Sequence, residues 1–257
     1  MSVAASELEL LSEELSTELN EVTDPHLAQS LDILASISPP TSSRPVIANP
    51  YWGGLHETHQ KVRDFYASMQ LYNAAPVTGA GEGVKALHDM GFKLIVVTAR
   101  SSDVKEESWD WINQWFPGEG LFDSVICTGQ FKDATKDGHE IVTKLSKAQV
   151  CADLKARLLI DDSSENALQV STSSSAATPP TPVLLFGHYE WNKRLSLHSD
   201  AVDAMAFDTR LQIEGGREFW KYERFEDHIP EGAPLHRVRD WEEVVQFVKS
   251  ARAANEL

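Results

Sequence analysis

Cysteine is nearly absent: Cys127 and Cys151 are the only two in 257 residues. Two thiols cannot form the disulfide framework of a small secreted fold, so they read as small buried residues of a reducing compartment. Long apolar runs are missing as well. No stretch reaches the roughly 20 residues that a membrane-spanning helix needs. The N-terminus has neither the basic start nor the apolar core of a secretory signal. Positive charge is scarce, with 23 Lys and Arg against 39 Asp and Glu, a formal net charge of −16. Phosphate backbones need a basic surface, which argues against a protein that coats DNA or RNA. A small anion held in a local pocket stays open. These absences make a soluble, cytoplasmic protein the expectation, with no nucleic acid polymer and no membrane among its partners.

Two absences are local. Residues 1–43 contain no Lys or Arg but eight Asp or Glu. Within them Leu8, Leu11, Leu15 and Leu19 recur at helical spacing between Glu7, Glu9, Glu13, Glu14 and Glu18. This pattern predicts an acidic amphipathic helix that docks on a protein partner or on the body of the protein, or a solvated tail. Pro39-Pro40-Thr41-Ser42-Ser43 reads as a linker. The expected organisation is thus an acidic extension and linker over 1–43 and one domain over 44–257. The second absence is of acid: between Asp32 and Glu57 there is no Asp or Glu.

What is present is a rhythm. Pro45-Val46-Ile47-Ala48 predicts a short first strand. Tyr51 to Ser68 is aromatic and polar, with Val62, Phe65 and Tyr66 suggesting a helix. Val84 and Leu87 face inward on a helix that Gly91 stops. Phe92 to Val97 is continuously apolar but for one Lys, as suits a strand buried on both faces. Trp109, Ile112 and Phe116 mark the next helix, and Phe122 to Cys127 the next strand. Ser146 to Leu154 reads as a helix, Leu158-Leu159-Ile160 and Val183 to Phe186 as strands, and Trp241, Val244, Val245 and Val248 as the stripe of a closing helix. The tract from Ser171 to Pro182 holds only Ser, Thr, Ala and Pro and reads as a low-complexity loop. Strands alternating with helices predict an α/β doubly wound fold around a parallel sheet, with ligands at the carboxyl ends of the strands.

Three polar signals fall at such ends. Leu94-Ile95-Val96-Val97 runs into Thr98-Ala99-Arg100, and a hydroxyl there, with nearby amides, can bond a phosphoryl oxygen. Leu158-Leu159-Ile160 runs into Asp161-Asp162. Two carboxylates behind a buried strand need compensation, for which a hard cation such as Mg²⁺ is suited; one of the pair capping the following helix is the alternative. Lys144 and Lys147 precede that strand and can neutralise charge near it. His56-Glu57-Thr58-His59 has its two His at i, i+3 rather than the i, i+4 of a zinc-protease helix. Gly79-Ala80-Gly81-Glu82-Gly83 lacks the dinucleotide spacing. Trp191, Trp220 and Trp241 read as packing anchors.

In this order, Thr98, then Lys, then Asp161-Asp162, the signals resemble motifs two to four of the haloacid-dehalogenase-like (HAD) hydrolase superfamily. Val97-Thr98-Ala99-Arg100 and Leu159-Ile160-Asp161-Asp162 look like the branch of the 5′(3′)-deoxyribonucleotidases. Asn49-Pro50-Tyr51-Trp52-Gly53 and Phe186-Gly187-His188-Tyr189-Glu190-Trp191-Asn192 are similar to uncharacterised fungal proteins of that type. The resemblance covers roughly residues 46–225. It implies a Rossmann-like sheet with a small cap over about 49–75, and Mg²⁺-dependent hydrolysis of a small phosphate monoester, with a nucleotide as the candidate substrate. It gives Thr98 the phosphoryl group, Lys147 or else Lys144 a bridging role, Asp161 the metal, and Asp162 a supporting place beside the metal.

The same resemblance shows a gap. The family's first motif, Asp-x-Asp, supplies the nucleophile and the acid, and this chain has none. Pro45-Val46-Ile47-Ala48 runs straight into cap-like sequence, so the first strand is expected to be truncated. Removing the nucleophile of a protease costs roughly 10⁶ in kcat, so the chain is expected to be inactive. Two readings follow. One is a hydrolase lineage represented here by an incomplete gene model or splice form. The other is a catalytically dead binding or regulatory protein that acts through its anion site or its acidic helix.

Overall fold

Leu94-Ile95-Val96-Val97 is buried along its whole length, as are Leu158-Leu159-Ile160 and Val183-Leu184-Leu185. Strands apolar on both faces must be covered on both faces, and helices that cross between parallel strands do this. In the computed structural model such runs line up in one sheet. The structure describes residues 32–35 (as a strand), 53–54, 56–58, 60–61, 64, 73–99, 105–118, 120–128, 146–174, 179–195 and 206–257.

The strands are β1 (Asp32–Ala35), β2 (Lys93–Thr98), β3 (Ser124–Cys127), β4 (Leu158–Asp161), β5 (Val183–Phe186) and β6 (Leu235–Val238). All neighbours are parallel, in the order β3-β2-β1-β4-β5-β6. The chain builds outward from β1 through β2 to β3, then returns to the other side of β1 for β4, β5 and β6. The strand order therefore reverses between β1 and β4, the place where doubly wound sheets open a crevice at their carboxyl ends.

The helices are α1 (Ala80–Asp89), α2 (Lys105–Trp115), α3 (Lys147–Asp153), α4 (Ser164–Thr172), α5 (Phe207–Ile213) and α6 (Trp241–Ala253). Three have side-chain N-caps: Ser146 accepts from the Gln149 amide, Ser163 from the Asn166 amide and Asp240 from the Glu243 amide. In α1 the buried residues are Ala80, Gly83, Val84 and Leu87. Gly83 lies against Trp241 of α6, where an added Cβ would stand 2.5 Å from the indole. One core cluster joins Ile95, Val97, Val150, Cys151, Leu159, Ala167, Val170, Val183 and Leu185 with Phe225 and Leu235, so α3, α4 and the residues before β6 close over one face of the sheet.

The α/β fold and the parallel sheet match the sequence reading, and several element boundaries differ from it. The central strand is the four-residue β1, inside the stretch assigned to the acidic extension, and the compact body runs from Asp32 to Leu257. The strand expected at 45–48 and the helix expected over residues 7–19 lie outside the described residues. In the cap-like segment, the described residues at 56–58, 60–61 and 64 are helical. α4 continues to Thr172, into the low-complexity tract, and the Pro182 carbonyl at its other end accepts from the Leu159 amide at 2.9 Å. The pattern reading missed α5 and β6. In β6 only Leu235 and Val238 are buried, so its apolar signal is too short to register. No helix among the described residues is long and apolar enough to cross a membrane.

Candidate functional site at the strand ends

Lys147 opens α3 directly after the Ser146 cap, and its side chain is only 1% exposed. A cation removed from water needs a counter-charge. It has one in Asp161, the last residue of β4 and 0% exposed, whose Oδ2 accepts from Lys147 Nζ at 2.7 Å. The second carboxylate oxygen of Asp161 accepts from the Ser163 amide at 2.8 Å and from Asn166 Nδ2 at 3.4 Å. Ser163 and Asn166 belong to the start of α4, so the carboxylate sits against a helix N-terminus that favours negative charge. Cys151, one turn along α3 from Lys147, lies in the same cluster. Burial, and then the charge of Asp161, push its thiol up to about 12, which makes it an inert packing group.

Asp162 is half-buried and has a different set of partners. Its Oδ2 accepts from the Trp191 indole Nε1 at 3.0 Å. Burial, and then the neighbouring Asp161 charge, raise its carboxyl from 3.8 to about 7. Trp191 is stacked on Tyr189, with ring centroids 4.4 Å apart and planes within 9°. Behind them Asn192, 0% exposed, donates to the carbonyls of Asp162 at 3.0 Å and of Phe186 at 2.9 Å. The Asn192 carboxamide oxygen accepts from the Tyr189 amide at 3.1 Å and from Arg237 Nη1 at 3.0 Å.

Thr98 ends β2 on the other side of β1 and is 2% exposed. Its carbonyl accepts from the Thr128 amide at 2.8 Å and the Thr128 hydroxyl at 3.2 Å, which ties the ends of β2 and β3 together. Ala35 of β1 is level with Val96 and with Ile160. Thr98 and Asp161 therefore rise just past the same level on the two strands that flank β1, about 10 Å apart at two strand spacings. In sequence Ala35 is followed by Ser36-Ile37-Ser38, without a carboxylate.

The fold thus brings Thr98, Lys147, Asp161 and Asp162 to one end of the sheet, at the point where the strand order reverses. Lys147 is the lysine paired with Asp161; Lys144 lies outside the described residues. Both aspartates have partners of their own, so the alternative of simple helix capping is met in part by Asp161 through the Ser163 amide. Three residues of this region escaped the sequence reading. Trp191 reads in the sequence as a packing anchor and also bonds Asp162, Asn192 reads only as part of a family-like run, and Arg237 carries no sequence signal. The available signal was the run Phe186 to Asn192, noted only as a likeness. Among the described residues no group of three or more His, Cys, Asp or Glu converges as a ready-made metal cage.

No family model matches the chain, and no curated protein matches it. Among solved structures it is similar to a predicted phosphatase from Clostridium acetobutylicum, at 11% identity and a TM-score of 0.41, over 86% of this chain and 99% of that one. It is also similar to the phosphoserine phosphatase from T. onnurineus, at 12% identity and a TM-score of 0.38, over 89% and 98% of the two chains. At these values neither likeness says anything about the site, whose reading stands on this chain's own residues.

Proposed function

We propose that this chain is a HAD-like phosphohydrolase relative that binds a small phosphorylated anion together with Mg²⁺ and does not hydrolyse it. The observation that carries this reading is the buried Lys147–Asp161 pair at the carboxyl ends of the sheet, set beside a central strand whose following sequence contains no acid up to Glu57.

The electrostatics favour joint binding. A phosphate alone would meet Lys147 but also two aspartates. Mg²⁺ alone would find at most two carboxylates. That number suits the ion when phosphate oxygens and waters complete its octahedron, since Mg²⁺ seldom occupies an all-protein cage. Asp161 and Asp162 are hard oxygen donors of the right kind and would hold it. When bound, the ion supplies positive charge against the phosphoryl oxygens. Lys147, released from Asp161, would donate to a phosphoryl oxygen, and the Thr98 hydroxyl would bond a second. Nothing in the sequence from Ile33 to His56 offers a carboxylate to attack phosphorus. Serine and threonine hydroxyls there would need a general base to act as nucleophiles.

Calorimetric titration of inorganic phosphate into the full chain tests this. Mg²⁺ is expected to tighten phosphate binding by roughly 5–150-fold, and phosphate to tighten Mg²⁺ by the same factor, as linkage requires. Lys147→Met is expected to abolish the phosphate heat. Equal phosphate affinity with and without Mg²⁺ would overturn joint binding.

A further inference from the structure

Asp162 does not hold its own position. Its backbone carbonyl is fixed by Asn192, and its carboxylate by Trp191, the residue before Asn192. Asn192 has two donor hydrogens and an oxygen with two lone pairs, and each has a partner. The donors go to the ends of β4 and β5, at Asp162 and Phe186. The oxygen takes the Tyr189 amide and Arg237 Nη1. A fully buried carboxamide with every bond made is rigid, because loosening any one leaves a polar group unpaired in a dry interior.

Arg237, on β6, closes the arrangement. Besides Asn192 Oδ1, its guanidinium donates to the Gly187 carbonyl at 2.8 Å, to the Asn192 carbonyl at 2.9 Å and to Glu226 Oε1 at 2.9 Å. A planar guanidinium with bonds in several directions fixes its partners' orientation as a lysine ammonium does not. Gly187 makes room for the turn. Its φ is +79°, and an added Cβ would stand 2.3 Å from the Tyr189 ring, so this position excludes other side chains on both counts.

We infer that Asn192, clamped by Arg237, is a positioning residue that locks the ends of β4 and β5 together and thereby sets where the Asp162 carboxylate and the Trp191 indole meet. The brace stands on geometry alone. Its consequence for ligand binding, through Asp162, rests on the reading of the site given above.

The test follows individual indole N–H groups by NMR in protein carrying ¹⁵N-labelled tryptophan, with the Trp191 signal assigned from Trp191→Phe. Trp111 is the internal reference, since its indole bonds the Ala74 carbonyl at 2.8 Å, apart from the brace. In Asn192→Ala, hydrogen exchange at Trp191 is expected to speed up by about tenfold or more while exchange at Trp111 stays put, the mark of a local opening. Asn192→Asp keeps the acceptor for Arg237 but loses both donors to the carbonyls, and is expected to fail as Ala does. Arg237→Met, at the sheet edge, carries the test if the Asn192 variants do not fold, with the same selective effect at Trp191. Unchanged exchange at Trp191, equal acceleration at Trp111, or wild-type behaviour of Asn192→Asp overturns the inference. Joint binding of phosphate and Mg²⁺ by the wild-type chain is a separate measurement, so its failure removes the ligand and leaves the brace to be judged by the indoles.

Discussion

Lys147 is a long side chain folded into the interior, where it pairs with the Asp161 carboxylate. Removing one member of a buried ion pair leaves the other uncompensated, at a cost of roughly 3–5 kcal/mol. Lys147→Met is expected to destabilise the chain by about that amount in urea denaturation, and the double variant Lys147→Met/Asp161→Asn to recover part of it, since no charge is then stranded and a carboxamide oxygen still accepts from the Ser163 amide. Asp162 gives a pH effect of definite sign. Its carboxyl titrates near 7 in the folded chain against 3.8 ordinarily. Between those values the folded state holds the proton and the unfolded state does not, so the contribution of Asp162 makes stability fall as pH rises from about 4 to about 7 and level off above. Comparing wild type with Asp162→Asn by thermal denaturation across that range isolates the slope, which the variant is expected to lack. Asp161-Asp162 stood out in the sequence because polar residues directly behind an apolar run are conspicuous. Their partners did not, because Trp191 and Asn192 lie 29 and 30 residues away from Asp162 and Arg237 lies 45 beyond Asn192. Such pairings depend on topology, which local pattern does not contain.

Elements were readable where burial is two-sided. β2, β4 and β5 announce themselves as unbroken apolar runs. β1 did not, for Asp32-Ile33-Leu34-Ala35 is short and sits in an acidic stretch, while Pro45-Val46-Ile47-Ala48 offers a similar pattern nearby. β6 presents only two buried residues in four, and α5 has no buried residues at all, so neither carries the periodic signal that helices and strands of the core do. Contact between elements depends on small residues that pattern reading passes over. Gly83 of α1 lies against Trp241 of α6, with an added Cβ at 2.5 and 2.8 Å from two ring atoms and 2.9 Å from the Trp241 Cβ. Overpacking of this kind costs typically 1–3 kcal/mol, so Gly83→Ala is expected to lose about that much stability in chemical denaturation. Gly81, whose added Cβ would meet nothing within 4 Å, is the control: Gly81→Ala is expected to be neutral or stabilising.

At the scale of the whole molecule, a doubly wound sheet puts its strand-order reversal beside β1 and gathers there a buried cation, two aspartates and a strand-end hydroxyl. The strongly acidic chain, at −16, repels anions at long range, so on the proposed reading an anionic ligand would depend on local neutralisation by Lys147 and on a cation brought in with it. Between Asp32 and Glu57 the sequence carries no carboxylate to attack phosphorus, and hydrolysis of a phosphate monoester is one of the slowest reactions in water. The decisive measurement is release of p-nitrophenol from p-nitrophenyl phosphate by the full chain in Mg²⁺, with Lys147→Met and Asp161→Asn beside it. The predicted result is that wild type and both variants release product at the rate of buffer. A wild-type rate well above buffer that Asp161→Asn abolishes would contradict the claim that this site binds without hydrolysing.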